Sequence, residues 1–227
     1  MQKSSFCHLP YSIQMLYLNL QKYQRSKLFS CITNTREMIS VCLYALEYLQ
    51  YWGGNKEVAR RPYLCFDNDN THRLFLVDSD RIISFALDLN VKVDNPRLDD
   101  PKNFIKGIYL RQHPITAREI SEARQLLSNN IDPEDLYCYN MLEDDNSVLD
   151  ASIHLFEHFV FLEWGYVRFD YDPVHSNGQL HPASHLDVNF SRSFSYKLGL
   201  KERIDVDALI SIIRSDTNCA ELELPEL

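Results

Sequence analysis

Glycine is scarce in this chain, six in 227 residues, and none falls within G-x-G-x-x-G or G-x-x-x-x-G-K-S/T. That argues against a nucleotide site that relies on close approach of glycine backbone to phosphate. The six cysteines, Cys7, Cys31, Cys42, Cys65, Cys138 and Cys219, never stand at C-x-x-C spacing, so neither a zinc ribbon nor a dithiol redox motif is expected. They lie among apolar neighbours, as reduced core thiols do. No run reaches the roughly 18 apolar residues of a membrane span, and the first residues lack the apolar stretch of a signal peptide. The expectation is a cytoplasmic protein without membrane contact. Positive charge is also short: 23 Lys and Arg against 32 Asp and Glu leave a net charge of −9. Such a surface repels polyanions, so nucleic-acid binding needs a local basic patch. The candidates are small, Lys22, Arg25 and Lys27 in one and Arg60 and Arg61 in another. Residues 132–150 carry much of the acidity and offer a docking surface.

What is present is ordinary globular chemistry, 45 % hydrophobic and 24 % charged residues. Apolar spacing predicts a helix over residues 13–29, capped by Ser12, with Ile13, Leu16, Leu20 and Tyr23 on one face. A second helix is predicted over 35–51. Between 62 and 93 the period changes. Three apolar runs, 63–66, 73–77 and 81–89, are separated by Asp/Asn-rich turns and read as an antiparallel meander. Residues 95–103 read as a loop and 104–111 as a strand. Thr116 and Glu119 form a capping box for a helix to about Ser128. Asp132-Pro133 starts a short helical piece, 146–164 a buried helix, and 206–214 a final amphipathic helix. Together these predict an α+β protein, an antiparallel β-sheet meander packed against several helices. It is taken as one domain over 1–227: a helical part at 12–52, sheet and helices at 62–164, a polar hairpin at 165–200, and the last helix.

The chemistry concentrates in that hairpin. From Tyr166 the chain reads Tyr-Val-Arg-Phe-Asp-Tyr-Asp, and strand alternation puts Arg168, Asp170 and Asp172 on one face. After a loop containing Pro173, Asn177 and Gly178 comes His181-Pro-Ala-Ser-His185-Leu-Asp-Val-Asn-Phe-Ser191, with Asp187, Asn189 and Ser191 on one face. Antiparallel pairing of the two segments makes a patch of Arg168, Asp170, Asp172, Asp187 and Asn189, with His181 and His185 at its rim. A strand over 194–198 continues the meander and adds Ser195 and Lys197 or Tyr196. Imidazoles beside carboxylates are placed to move protons near neutral pH. The expected roles are His185 as general acid or base oriented by Asp187, His181 as its partner, and Arg168 as a stabiliser of phosphoryl charge. Asp170 tunes the histidines or, with Asp172, binds a divalent metal ion. Asn189, Ser191 and Tyr171 are expected to bind substrate. The opposing reading is an exposed hairpin whose charges pair with one another and face water.

Upstream, His154-Leu-Phe-Glu157-His158 has H-x-x-E-H spacing and resembles the zinc motif of inverzincin metallopeptidases. The resemblance implies His154 and His158 as zinc ligands and Glu157 as the water-activating base. It covers five residues and lacks the family's third ligand in a comparable context.

The run Trp164-Gly-Tyr-Val-Arg-Phe-Asp-Tyr-Asp-Pro173, followed by His181-Pro-x-x-His-Leu-Asp-x-Asn189, resembles a bacterial family of unknown function. It is also similar, more weakly, to small toxin components of toxin–antitoxin pairs. The resemblance spans about residues 164–200. It implies a bacterial accessory protein of a toxin or antiphage-defence setting. Two functional expectations follow. One is a phosphodiesterase or nuclease acting on RNA or a nucleotide through the His/Asp/Arg site. The other is a non-catalytic subunit, a sensor or antitoxin-like protein, bound to a protein partner from the same operon.

Overall fold

The computed structural model describes residues 15–52, 54–55, 61–68, 71–94, 102–128, 149–178, 180–190 and 195–218. Its strands are β1 (Met15–Asn19), β2 (Gly54–Asn55), β3 (Tyr63–Asp67), β4 (Arg73–Val77), β5 (Arg81–Ala86), β6 (Asn90–Asp94), β7 (Lys102–Leu110), β8 (His113–Ile115), β9 (Val167–Tyr171), β10 (Ser184–Val188) and β11 (Tyr196–Gly199). The helices are α1 (Lys22–Leu28), α2 (Thr35–Trp52), α3 (Ala117–Ser128), α4 (Leu149–Phe161) and α5 (Val206–Ile213). Seven strands form an antiparallel sheet in the order β11-β10-β9-β5-β4-β3-β1, and the short β2 links it to a three-strand sheet of β6, β7 and β8. The architecture is α+β, as the apolar patterning predicts.

The strands of the meander alternate between two cores. Leu74 and Leu76 of β4 and Ile83 and Phe85 of β5 face the larger core, roofed by α2, α3 and α4 through side chains such as Met38, Leu46, Ile120 and Phe156. Phe75, Val77 and Ile82 face the opposite way, into a smaller core closed by Leu209 and Ile210 of α5. The sheet is thus covered on both faces. Helix α5 starts where the Asp205 side chain accepts a hydrogen bond from the Ala208 N–H at 2.9 Å. The capping box ahead of α3 is formed, with Thr116 N–H donating to Glu119 Oε2 at 2.6 Å and Glu119 N–H to Thr116 Oγ1 at 3.2 Å. Trp164 packs against Phe85 and Phe159 between α4 and β9. At Gly165 the backbone then turns with φ +49°, a left-handed conformation that favours glycine.

The expected helix over 13–29 is overturned. Residues 15–19 form β1, followed by the short α1; Ser12 and Ile13 lie outside the described residues. The reason is tertiary. Strand β1 lies between β3 and β2, with Leu16 and Leu18 in the larger core and Met15 and Tyr17 against the smaller one. Apolar residues on both faces erase the period-two signal, and the leucines that remain happen to fit a helical stripe. Other boundaries move as well, among them the start of β7 at Lys102, inside the loop expected over 95–103. The third strand of the meander ends at Ala86, and the separate strand β6 follows, with a bulge at Lys92/Val93 against β7. Helix α4 ends at Phe161, short of Trp164. The helical piece expected at Asp132-Pro133 and the acidic stretch 132–150, apart from Leu149 and Asp150, lie outside the described residues. Among the described residues, no helix is long and apolar enough to cross a membrane.

Candidate functional site

The polar segments do pair. Register places Asp170 of β9 between His185 of β10 and Arg81 of β5, and Arg168 between Asp187 and Ile83. Lys197 of β11 stands opposite Asp187. On this side of the sheet the apolar surface ends at β5. The next positions outward are Arg168, Asp170, His185 and Asp187, while their neighbours Phe169 and Leu186 continue the smaller core on the far side. The ordinary two-residue alternation of a strand, with one face apolar and the other charged, thereby builds a charged face beyond the helical roof.

Arg168 ties the face together. Its Nε donates to Asp170 Oδ2 at 2.6 Å, and its Nη2 donates to Asp187 Oδ2. Arg81 Nε donates to Asp170 Oδ1 at 2.6 Å, and Lys197 Nζ lies 3.4 Å from Asp187 Oδ1. Every oxygen of the two buried carboxylates therefore faces a cation, and this pairing offsets the cost of burying them. Burial alone would lower the Arg168 pKa, but Asp170, with Tyr166 and Asp187, outweighs it and holds the guanidinium above its ordinary value. Burial in turn pushes the Tyr166 phenol up, with Arg168 opposing.

His185 is only 2 % exposed, so the expectation that it sits at the rim is corrected: it is a floor residue. Its Nδ1 lies 2.9 Å from the Pro182 carbonyl oxygen, which only accepts, so Nδ1 carries the proton. That leaves the Nε2 lone pair directed inward, 3.9 Å from both Asp170 Oδ2 and Asp187 Oδ2. His181 takes the rim. Its ring meets that of His185 edge-on at 4.8 Å, and its Nδ1 is buried without a hydrogen-bond partner. Lys197 Nζ is 3.3 Å from Nε2 of each histidine. Asp170, His185 and Asp187 each offer one ligand atom within 4.8 Å of the others, a grouping that can hold a metal ion.

Of these residues Arg168, Asp170, His181, His185 and Lys197 line an open cleft of about 650 Å³, with Asp187 behind them. Its walls bring in side chains that the hairpin reading did not include: Lys22 and Arg25 of α1, Asp78 and Asp80 of the β4–β5 turn, and Arg81. Arg25 bonds Asp78 through its Nε at 2.7 Å, and this pins α1 to the turn. The sequence signal was the basic group at Lys22 and Arg25, but nothing local says that it faces residues almost 150 positions later. Tyr171 lines the same cleft, with the Arg203 guanidinium 4.8 Å from its ring centre. Asp172 also lines it, but its carboxylate accepts from His175 at 2.9–3.1 Å, and those bonds hold it below the usual carboxylate range. It is therefore engaged apart from the Asp170–His185–Asp187 group. Asn189 follows β10 with φ +67°, and its side chain accepts from the Phe190 N–H at 2.7 Å, so it shapes the strand end and does not line the cleft. Ser191 lies outside the described residues.

The H-x-x-E-H segment lies on α4 beside a separate cavity of about 840 Å³. His154 Nδ1 lies 3.4 Å from Glu157 Oε2, and burial lowers the His158 pKa. Among the described residues the one grouping of three or more metal-competent side chains is Asp170, His185 and Asp187, so His154 and His158 are not joined by a third ligand. No family model, curated protein or solved structure matches the chain.

Proposed function

We propose that the cleft binds a phosphate-bearing ligand, RNA or a nucleotide, and that the protein is a phosphodiesterase or ribonuclease of a bacterial toxin or defence type. The observation that carries this is the composition of the cleft. In a chain of net charge −9, its lining sets five Lys and Arg residues against four Asp around a pair of touching histidines. With Asp187 beneath Arg168 and Lys197 the charges balance, so a phosphate meets a near-neutral cleft in a surface that otherwise repels it. Arg81, with 42 % of its side chain exposed, and Lys197, with 44 %, are open enough to reach a ligand. Arg168 is committed to two aspartates and acts by fixing the floor. His181 at the rim is the proton-transfer group. On RNA it takes the proton of an attacking 2′-hydroxyl, the 2′-oxygen bonds to phosphorus, and the 5′-oxygen leaves with a proton from water. His185 positions His181 and does not itself touch substrate. The test is purified protein assayed on RNA and on nucleotides, with and without added divalent metal. His181→Ala should lower turnover about 100-fold or more, the order that a positioned acid–base group supplies. Equal rates in variant and parent would remove the assignment.

A binding role beside the chemistry has its own observation. The described sheet ends at β11, an open edge carrying exposed Tyr196, and Val174 and Leu180 stand exposed on the loop beside the cleft. An open strand edge with nearby apolar side chains accepts a partner's strand. Co-purification with the product of a neighbouring gene, lost in Leu180→Asp, supports this role; an unchanged monomer in the presence of that product opposes it.

A further inference from the structure

We propose that His181 Nε2, His185 Nε2 and Asp187 Oδ1 form a divalent-cation site whose cation position is held, in the cation-free protein, by the ammonium group of Lys197. Lys197 Nζ touches all three of these atoms, at 3.3, 3.3 and 3.4 Å. They are the atoms of the cluster that no guanidinium occupies. Both Asp170 oxygens and Asp187 Oδ2 are bonded to Arg81 or Arg168. Asp187 Oδ1 and the two imidazole nitrogens each meet the flexible Lys197, and His185 Nε2 also lies 3.9 Å from Asp170 Oδ2 and Asp187 Oδ2.

Two of the three ligands, His185 and Asp187, are already held as metal ligands are, while His181 Nδ1 has no hydrogen-bond partner. A ligating imidazole characteristically donates its other N–H to a carbonyl or carboxylate, which fixes the tautomer and aims the lone pair at the ion. His185 does this through Nδ1 and the Pro182 carbonyl at 2.9 Å. The Asp187 carboxylate is likewise oriented by Arg168 on its other oxygen. Two imidazole nitrogens and one carboxylate oxygen suit first-row divalent ions such as zinc, manganese and ferrous iron, and leave open positions for water and ligand. Metal bonds of about 2.0–2.2 Å are shorter than the ammonium contacts, so the three ligands close inward on binding, His181 most of all, since it stands outside the Asp170–His185–Asp187 group whose ligand atoms already lie within 4.8 Å of one another. Lys197, 44 % exposed, swings out over the cleft as the ion enters. Its released charge then lies over the space where an anionic ligand would bind. The site does not rest on the phosphodiesterase reading, because an ion can bind without any substrate; it competes with that reading at one atom, since His181 Nε2 cannot hold an ion and take a proton at once.

The test titrates zinc ion alone into parent, Lys197→Met and His181→Ala by isothermal calorimetry, with thermal unfolding of each variant alongside. Methionine keeps the length of Lys197 and removes the competing charge, so Lys197→Met should bind one equivalent at least about tenfold more tightly than the parent. Loss of a ligand in His181→Ala should weaken binding about tenfold or more; His181 is chosen because it is less buried than His185, and the thermal unfolding curve checks that the variant is folded. Absence of binding in both parent and Lys197→Met overturns the proposal. So does binding that His181→Ala leaves unchanged, since the ion then sits elsewhere. Failure of the RNA and nucleotide assays has no bearing on either outcome.

Discussion

Replacing Arg168 by methionine asks what the charged face is worth. The side chain is 24 % exposed and donates to two buried aspartates, each with a side chain 10 % exposed. A hydrogen bond to a charged partner contributes about 1.5–3 kcal/mol, so two such bonds set a scale of about 3–6 kcal/mol, of which about 3–5 kcal/mol is the working range once partial exposure is allowed for. The same scale holds for breaking a buried ion pair by removing one partner, because the carboxylates stay behind with less compensation. In a chain of this size each kcal/mol moves the unfolding midpoint by about 2–4 °C, so Arg168→Met should unfold roughly 6–20 °C below the parent. Urea unfolding followed by far-ultraviolet circular dichroism and by fluorescence of the buried Trp164 region measures the difference. The mechanism has its own signature. If the loss arises from the stranded carboxylates, then Arg168→Met/Asp187→Asn should recover about 1 kcal/mol or more relative to Arg168→Met alone, a non-additive cycle. A loss below about 1 kcal/mol would place these pairs with ordinary surface ion pairs and refute the view of a buried, mutually compensated cluster.

Two further outcomes follow. Burial would raise the Glu119 carboxyl, but hydrogen bonds from His113 and Thr116 outweigh it and hold the group below its ordinary value of 4.5. Its contribution is thus present at neutral pH and is lost as pH falls below 4.5 through the depressed folded value. Glu119→Gln should cost about 1 kcal/mol at pH 7, and the gap to the parent should shrink in acid; a gap that widens in acid contradicts the capping account. Phe156→Ala, at a fully buried position of α4 in the larger core, should cost about 3–5 kcal/mol with a cooperative transition, and a loss under about 1 kcal/mol would show that the roof of that core repacks freely.

Much of the fold was legible because local chemistry and tertiary demand agreed. Helix α3 carries its own start signal in Thr116 and Glu119, and α2 carries a continuous apolar stripe. In β9 and β10 the alternation of charged and apolar residues is unambiguous, since Phe169 and Leu186 must be buried and Arg168 and Asp187 then share the other face. Register follows, and with it the meeting of Arg168, Asp170, His185 and Asp187. Strand β1 shows the limit. Residues buried on both faces have no period to display, so only the gap between β3 and β2 determines that 15–19 is extended.

Alternation along two segments is enough to put acids and an arginine on a common face with histidines at its rim. It says nothing about depth or about partners distant in the chain. Burial of His185 depends on how β10 lies between β9 and β11, the second arginine on Asp170 comes from β5, and the basic wall comes from α1. Those placements are set by packing between elements far apart in sequence, and side-chain alternation is a property of one strand alone.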